Sequence, residues 1–198
     1  FSSGSQRGIE MKAVRVREYG GPEAMSYDEV DIPSIGENDV LVKIEASGIN
    51  FIDTYQRSGL YQIPLPATLG LEAAGTVTEI GLNVSSFQSG DRVAYTSVPG
   101  AYADYAVVPD EKLVKLPDGV DFSQGAAAML QGCTAHYLCK STYEVKAGDR
   151  CLIHAAAGGV GLLLIQMVKN AGGFVIGTVS TEEKANLAIK NGCEFTIN

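Results

Sequence analysis

His154-Ala155-Ala156-Ala157-Gly158-Gly159-Val160-Gly161 follows the apolar run Cys151-Leu152-Ile153 and leads into Leu162-Leu163-Leu164-Ile165. This order reads as strand, tight turn and helix. The start of a helix offers unpaired N–H groups and the positive end of its dipole. A turn without side chains then lets a phosphate approach. Ala156, Gly158 and Gly161 occupy the three positions of the dinucleotide pattern G-x-G-x-x-G, with alanine in the first, and Gly159 and Val160 lie between the last two. A glycine-rich turn in any doubly wound domain has the same outline; the strand before it and the helix after it favour the dinucleotide. A second group, Asn50, Tyr55 and Tyr61, carries an amide and two phenols that can hydrogen-bond a carbonyl oxygen and relay a proton. Packed tyrosines and a turn-forming asparagine would account for the same residues without chemistry.

The choice of nucleotide is read at the end of the second strand. An NAD site usually places Asp or Glu about 20 residues beyond the glycines, on the ribose hydroxyls. Here that region is Thr178-Val179-Ser180-Thr181, with no carboxylate, and Lys184 follows within one helical turn. A 2′-phosphate would meet no repulsion, and Ser180 and Lys184 could hold it, so NADPH is expected over NADH. Ser180 as N-cap with Glu183 three positions later also reads as a capping box, and both readings can hold together.

Positioning these groups takes two kinds of element. From Met11 to about Pro117 the apolar pattern is short and strand-like, as in Val40, Val42, Ile44 and Ala46 alternating with Leu41, Lys43 and Glu45, with turn signals at Gly20-Gly21-Pro22, Gly48 and Gly90-Asp91. Asn50, Tyr55 and Tyr61 fall on a loop in this half, with Asp53 as the partner that orders it. Beyond Asp118 the period becomes helical. Helices are expected over 123–130 and 134–140, then strand 150–154, helix 160–171, strand 174–178, helix 182–190 and strand 193–197. The last five form one β-α-β-α-β half of a dinucleotide-binding fold. The domains expected are a leader over 1–10, a mainly β domain over 11–127 and a partial Rossmann domain over 128–198.

The chain has 198 residues, 45% of them apolar and 19% charged, which suits a packed globular core. Fifteen basic against 23 acidic residues leave a net charge of −8, which argues against nucleic acid as the main partner. The longest apolar stretch, 160–167, is far below the roughly 20 residues of a membrane span, so no membrane partner is expected. Four cysteines, Cys133, Cys139, Cys151 and Cys193, show no C-x-x-C spacing and read as buried free thiols in a reducing compartment, hence a cytoplasmic protein, with a trimmed organelle-targeting segment as the alternative.

Gly48 to Tyr55, Arg57 to Tyr61 and His154 to Leu162 together resemble the zinc-independent, zeta-crystallin-like quinone oxidoreductases of the medium-chain dehydrogenase/reductase superfamily. The resemblance runs from Met11 to Asn198. It implies a GroES-like catalytic domain followed by a Rossmann domain, with NADPH in the cleft between them. It places Asn50, Tyr55, Tyr61 and Thr134 near the nicotinamide and a small-molecule quinone, and it implies a homodimer or tetramer for a full-length parent. Zinc alcohol dehydrogenases of the superfamily carry Gly-His-Glu where this chain has Gly70-Leu71-Glu72, and their first cysteine ligand falls at Asn50, so no zinc is expected. A quinone is itself a strong electron acceptor and needs orientation more than a Lewis acid. Reduction of enones or alkenals is the enzymatic alternative, and a crystallin-like structural or RNA-binding role the non-catalytic one. The resemblance also implies strands 4 to 6 and a returning segment after Asn198. Residues 1–198 alone are therefore expected to bind NADPH weakly, turn over slowly and associate through an unpaired first strand bearing Leu152 and Ile153.

Overall fold

A computed structural model describes residues 10–198. They divide after Met129 into two compact units. In the first, strands β1 (Glu10–Val16), β2 (Met25–Asp31) and β4 (Ala67–Thr68) form an antiparallel sheet in the order β2-β1-β4. A five-stranded antiparallel sheet, ordered β7-β3-β5-β6-β8, joins β3 (Asp39–Ser47), β5 (Glu72–Ile80), β6 (Arg92–Thr96), β7 (Tyr105–Pro109) and β8 (Leu113–Lys115). Glu10 already pairs with Asp31, so the first strand takes in the last residue of the expected leader; the rest of that leader lies outside the described residues.

The core of this unit is built from Val40, Val42, Val77, Val93, Tyr95 and Val108. Strict alternation fails on β3, where Val40, Leu41 and Val42 are all buried. The pairing of β3 with β5 shifts between Leu41 and Val42 and again between Ile44 and Ala46, and such irregularities re-aim successive side chains. The expected loop after β3 is instead helix α1 (Phe51–Ser58).

The two expected helices over 123–130 and 134–140 are one helix, α2 (Phe122–His136), running into a π-helical turn over Tyr137–Thr142. Gly132 and Cys133, which fall between the two expected helices, do not interrupt it, since a helix tolerates single weak formers when neighbours continue the hydrogen bonds. The second unit then carries β9 (Arg150–Ile153), α3 (Gly159–Asn170), β10 (Phe174–Thr178), α4 (Glu182–Lys190) and β11 (Phe195–Ile197). Its sheet is parallel, ordered β11-β10-β9. Ile153, Ile165, Val168, Val175, Ala188 and Cys193 pack together at its core. β9 pairs only with β10 among the described residues. Leu152 is exposed there but Ile153 is buried, because successive side chains on a strand point to opposite faces. The thiols are less uniform than expected: Cys139 and Cys193 are buried, Cys151 is half-buried and Cys133 is exposed. Burial raises the Cys151 and Cys193 thiols above their ordinary value, which keeps them protonated.

Candidate functional site

The first cluster is organised by the start of α1. Asn50 is its N-cap, and Asp53 Oδ2 accepts from the Asn50 N–H at 2.8 Å and from the Tyr102 hydroxyl at 2.7 Å. A carboxylate in the first turn is further favoured by the helix dipole. Asn50 Nδ2 donates to Glu72 Oε1 at 2.7 Å, and Asn50, Asp53 and Glu72 are all buried. One hydrogen of the amide assigned to a quinone oxygen on sequence grounds is thus engaged inside the protein, where Asn50 acts as a fixed point for α1. Tyr102 gave no signal in the sequence; burial, then the bond to Asp53, raises its phenol above the ordinary value and keeps it a donor.

Tyr55 and Tyr61 stand differently. Both are exposed, at 37% and 54%, so their rings are available to a ligand. They meet edge to face with ring centroids 5.5 Å apart, and Tyr61 N–H donates to Tyr55 O at 3.1 Å. The structure therefore brings these two residues together. Asn50, with Asp53, Arg57, Leu69 and Tyr102, lines a separate cavity of about 400 Å³ that excludes both rings from its lining. Leu71 is buried beside Glu72, where it offers no metal ligand. Among the described residues no group of three or more His, Cys, Asp or Glu side chains is placed to hold a metal.

The second cluster lies in the second unit. After β9 the chain turns at Ala155 (φ 49°), and Gly158 becomes the N-cap of α3. Thr178 at the end of β10 ties this turn down: its Oγ1 accepts from Ala155 N–H at 3.2 Å and its carbonyl from Ala156 N–H at 3.0 Å. Ala156 is buried, whereas Gly158 and Gly159 are exposed. A Cβ on Gly158 would meet only Ala155 O, at 3.1 Å, so the space before it is open. Gly161 is the opposite case: a Cβ there would come within 2.7 Å of Ala156 O, so only glycine lets the helix pass the turn. Val160 is the second residue of α3, and Gly159 packs against Gln131.

Ser180 and Lys184 are also together: Lys184 Nζ donates to Ser180 Oγ at 3.0 Å, and both are exposed. The helix cap is Thr181, not Ser180. Thr181 is extended immediately before the first helical residue, and its Oγ1 accepts from Lys184 N–H at 3.2 Å, so Ser180 lies one residue too early. Thr134 lies inside α2, and its hydroxyl bonds back to Leu130 O at 2.7 Å.

Residues 36–118 match the family described as alcohol dehydrogenase GroES-like domain. A quinone oxidoreductase of Pseudomonas aeruginosa is 50% identical over 94% of this chain and 58% of its own. The solved structure of Escherichia coli quinone oxidoreductase complexed with NADPH superposes with a TM-score of 0.92 at 44% identity, over 94% of this chain and 58% of that one. Over 94% of its length the chain is similar to quinone oxidoreductases, and its residues 36–118 carry the alcohol dehydrogenase GroES-like domain. A 2-haloacrylate reductase of Burkholderia is 44% identical over the same shares, 94% and 58%. The chain thus spans a little over half the length of these relatives. Its architecture is the expected one: a GroES-like domain, followed by one parallel β-α-β-α-β half. No helix of the described residues is long and apolar enough to cross a membrane.

Proposed function

We propose that this chain carries out NADPH-dependent reduction of quinones, with residues 128–198 holding the nucleotide and 11–127 supplying the catalytic surface. The observation that carries the reading is the open turn at Gly158, at the N-terminus of α3 and anchored by Thr178, in a chain 44% identical to an enzyme solved with NADPH. Backbone N–H groups of 159–161 would meet the pyrophosphate, the Gly158 N–H being taken by Ala155 O at 2.8 Å, and Lys184 with Ser180 would meet the 2′-phosphate. Bound NADPH supplies the hydride. The protein's part is orientation and proton delivery: the exposed phenols of Tyr55 and Tyr61 donate to the quinone oxygens, and Asn50, held by Glu72, keeps α1 at a fixed angle. No zinc enters this scheme. Leu71 cannot bind metal, and a quinone accepts electrons without a Lewis acid.

A second reading, reduction of an activated carbon–carbon double bond, is favoured by the likeness to the 2-haloacrylate reductase. Rates of NADPH oxidation with naphthoquinones, benzoquinones and α,β-unsaturated carbonyl compounds separate the two. A higher kcat/KM for the quinones is expected, and a preference for the unsaturated carbonyls overturns the first reading. Self-association into a dimer or tetramer goes with the proposal for a full-length parent, and sedimentation velocity tests it.

A further inference from the structure

We infer that Tyr19 is a positioning residue for quinone reduction, clamping the loop that carries Tyr61; this rests on the function proposed above. Tyr19 lies in the turn between β1 and β2. Its hydroxyl donates to Ile63 O at 2.8 Å and accepts from Ile63 N–H at 3.1 Å, so one side chain satisfies both backbone groups of a residue 44 positions away. Its ring covers Gly59, the left-handed C-cap of α1 (φ 81°), where a Cβ would lie 2.7 Å from Tyr19 Cγ. That position needs glycine for its conformation and for the ring. The next residue adds a second tie: Gly20 N–H donates to Arg57 O at 3.1 Å, and Arg57 Nε donates to Gly20 O at 3.3 Å.

The stretch 60–62 is therefore held at both ends, by Gly59 under the ring and by Ile63 on the hydroxyl. Tyr61 sits between these anchors, with its N–H on Tyr55 O and its ring against the Tyr55 ring. A surface loop this short has no other regular structure to hold its phenol, and a displacement of about 1 Å at a reacting group can cost about a hundredfold in rate. Tyr19 touches neither Tyr55 nor Tyr61 in any of these bonds; it acts through the backbone at 59 and 63.

The test compares the wild type with Tyr19→Phe, which keeps the ring over Gly59 and removes both hydroxyl bonds. With naphthoquinone, kcat/KM is expected to fall about tenfold while the Kd for NADPH is unchanged, and the Ile63 amide is expected to exchange with solvent at least about fivefold faster. In a Tyr61→Phe background the same change should have no further effect on kcat/KM. An unchanged kcat/KM in Tyr19→Phe, or an equal loss with and without the Tyr61 hydroxyl, overturns the inference. A wild type that does not reduce the quinone refutes the proposed function instead. The clamp is then decided by the Ile63 amide, and unchanged exchange in Tyr19→Phe overturns it.

Discussion

Replacing Gly48 with alanine should dislodge Glu72 and, through it, Asn50. Gly48 N–H donates to Glu72 O at 3.1 Å, and the Glu72 side chain lies directly across the glycine. An added Cβ would overlap Cγ and Cδ as well as Oε1, so the stem of the side chain must turn and not only its tip. Glu72 is 1% exposed and has little room to turn. Losing the charge-assisted bond from Asn50 Nδ2 costs about 1.5 to 3 kcal/mol, and crowding a packed site costs about 1 to 3 kcal/mol more. A total of about 2.5 to 6 kcal/mol corresponds to a fall in Tm of roughly 5 to 24 °C for a chain of this size. Thermal unfolding followed by circular dichroism reads it, and quinone turnover on the same sample should fall because the N-cap of α1 is no longer fixed. A Gly48→Ala protein with Tm within about 2 °C of wild type and unchanged turnover would refute the idea that Glu72 sets the position of Asn50.

Lys184→Ala should weaken NADPH by about tenfold or more and leave NADH untouched, as read by titration of nucleotide fluorescence; equal loss of both would remove Lys184 from the 2′-phosphate site. Tyr55→Phe combined with Tyr61→Phe should lower kcat for quinone by about tenfold to a hundredfold with folding intact, and unchanged kinetics would take the phenols out of the mechanism. In the second unit Glu194 ties strand to helix, accepting from Lys169 Nζ and, at 2.7 Å, from Val175 N–H. Burial works to raise its carboxyl, but the bonds from Lys169 and Val175 outweigh it and hold it below the ordinary carboxylate value. A depressed carboxyl adds stability that is complete above the unfolded-state value and is lost as pH falls through the folded-state value. Glu194→Gln, which keeps an acceptor for the Val175 N–H but loses the charge, should therefore cost about 0.5 to 1 kcal/mol near neutral pH and less in acid, and Tm profiles that run parallel across that range would contradict the assignment.

Much of the second unit was legible because its signals are local. Apolar runs, a glycine turn and a lysine after a strand specify β9, α3, β10 and α4 within a residue or two, and helix ends depend on caps such as Thr181 that differ from their neighbours by a single position. The first unit was harder for two reasons. Helix α1 has only eight residues, and its apolar members are the exposed Phe51 and the half-buried Ile52, so its periodicity is too short to register against the strands around it. The partners of Asn50 and Asp53 come from far along the chain, Glu72 at 22 positions and Tyr102 at 49. Spacing in sequence carries no trace of such contacts. The same holds for Tyr19 and Ile63. Residue type suggested what Asn50 could do; only its packing shows that its amide is turned inward to Glu72.

The function proposed for this chain is direct hydride transfer from bound NADPH to a quinone that Tyr55 and Tyr61 orient. Stopped-flow mixing of the protein and NADPH with naphthoquinone measures it directly through the loss of reduced-nicotinamide absorbance. Quinone-dependent oxidation is expected to be faster than in protein-free solution, to saturate in quinone, and to be slowed by the paired tyrosine replacement at unchanged nucleotide affinity. Oxidation at the protein-free rate, or a rate indifferent to Tyr55 and Tyr61, would contradict it.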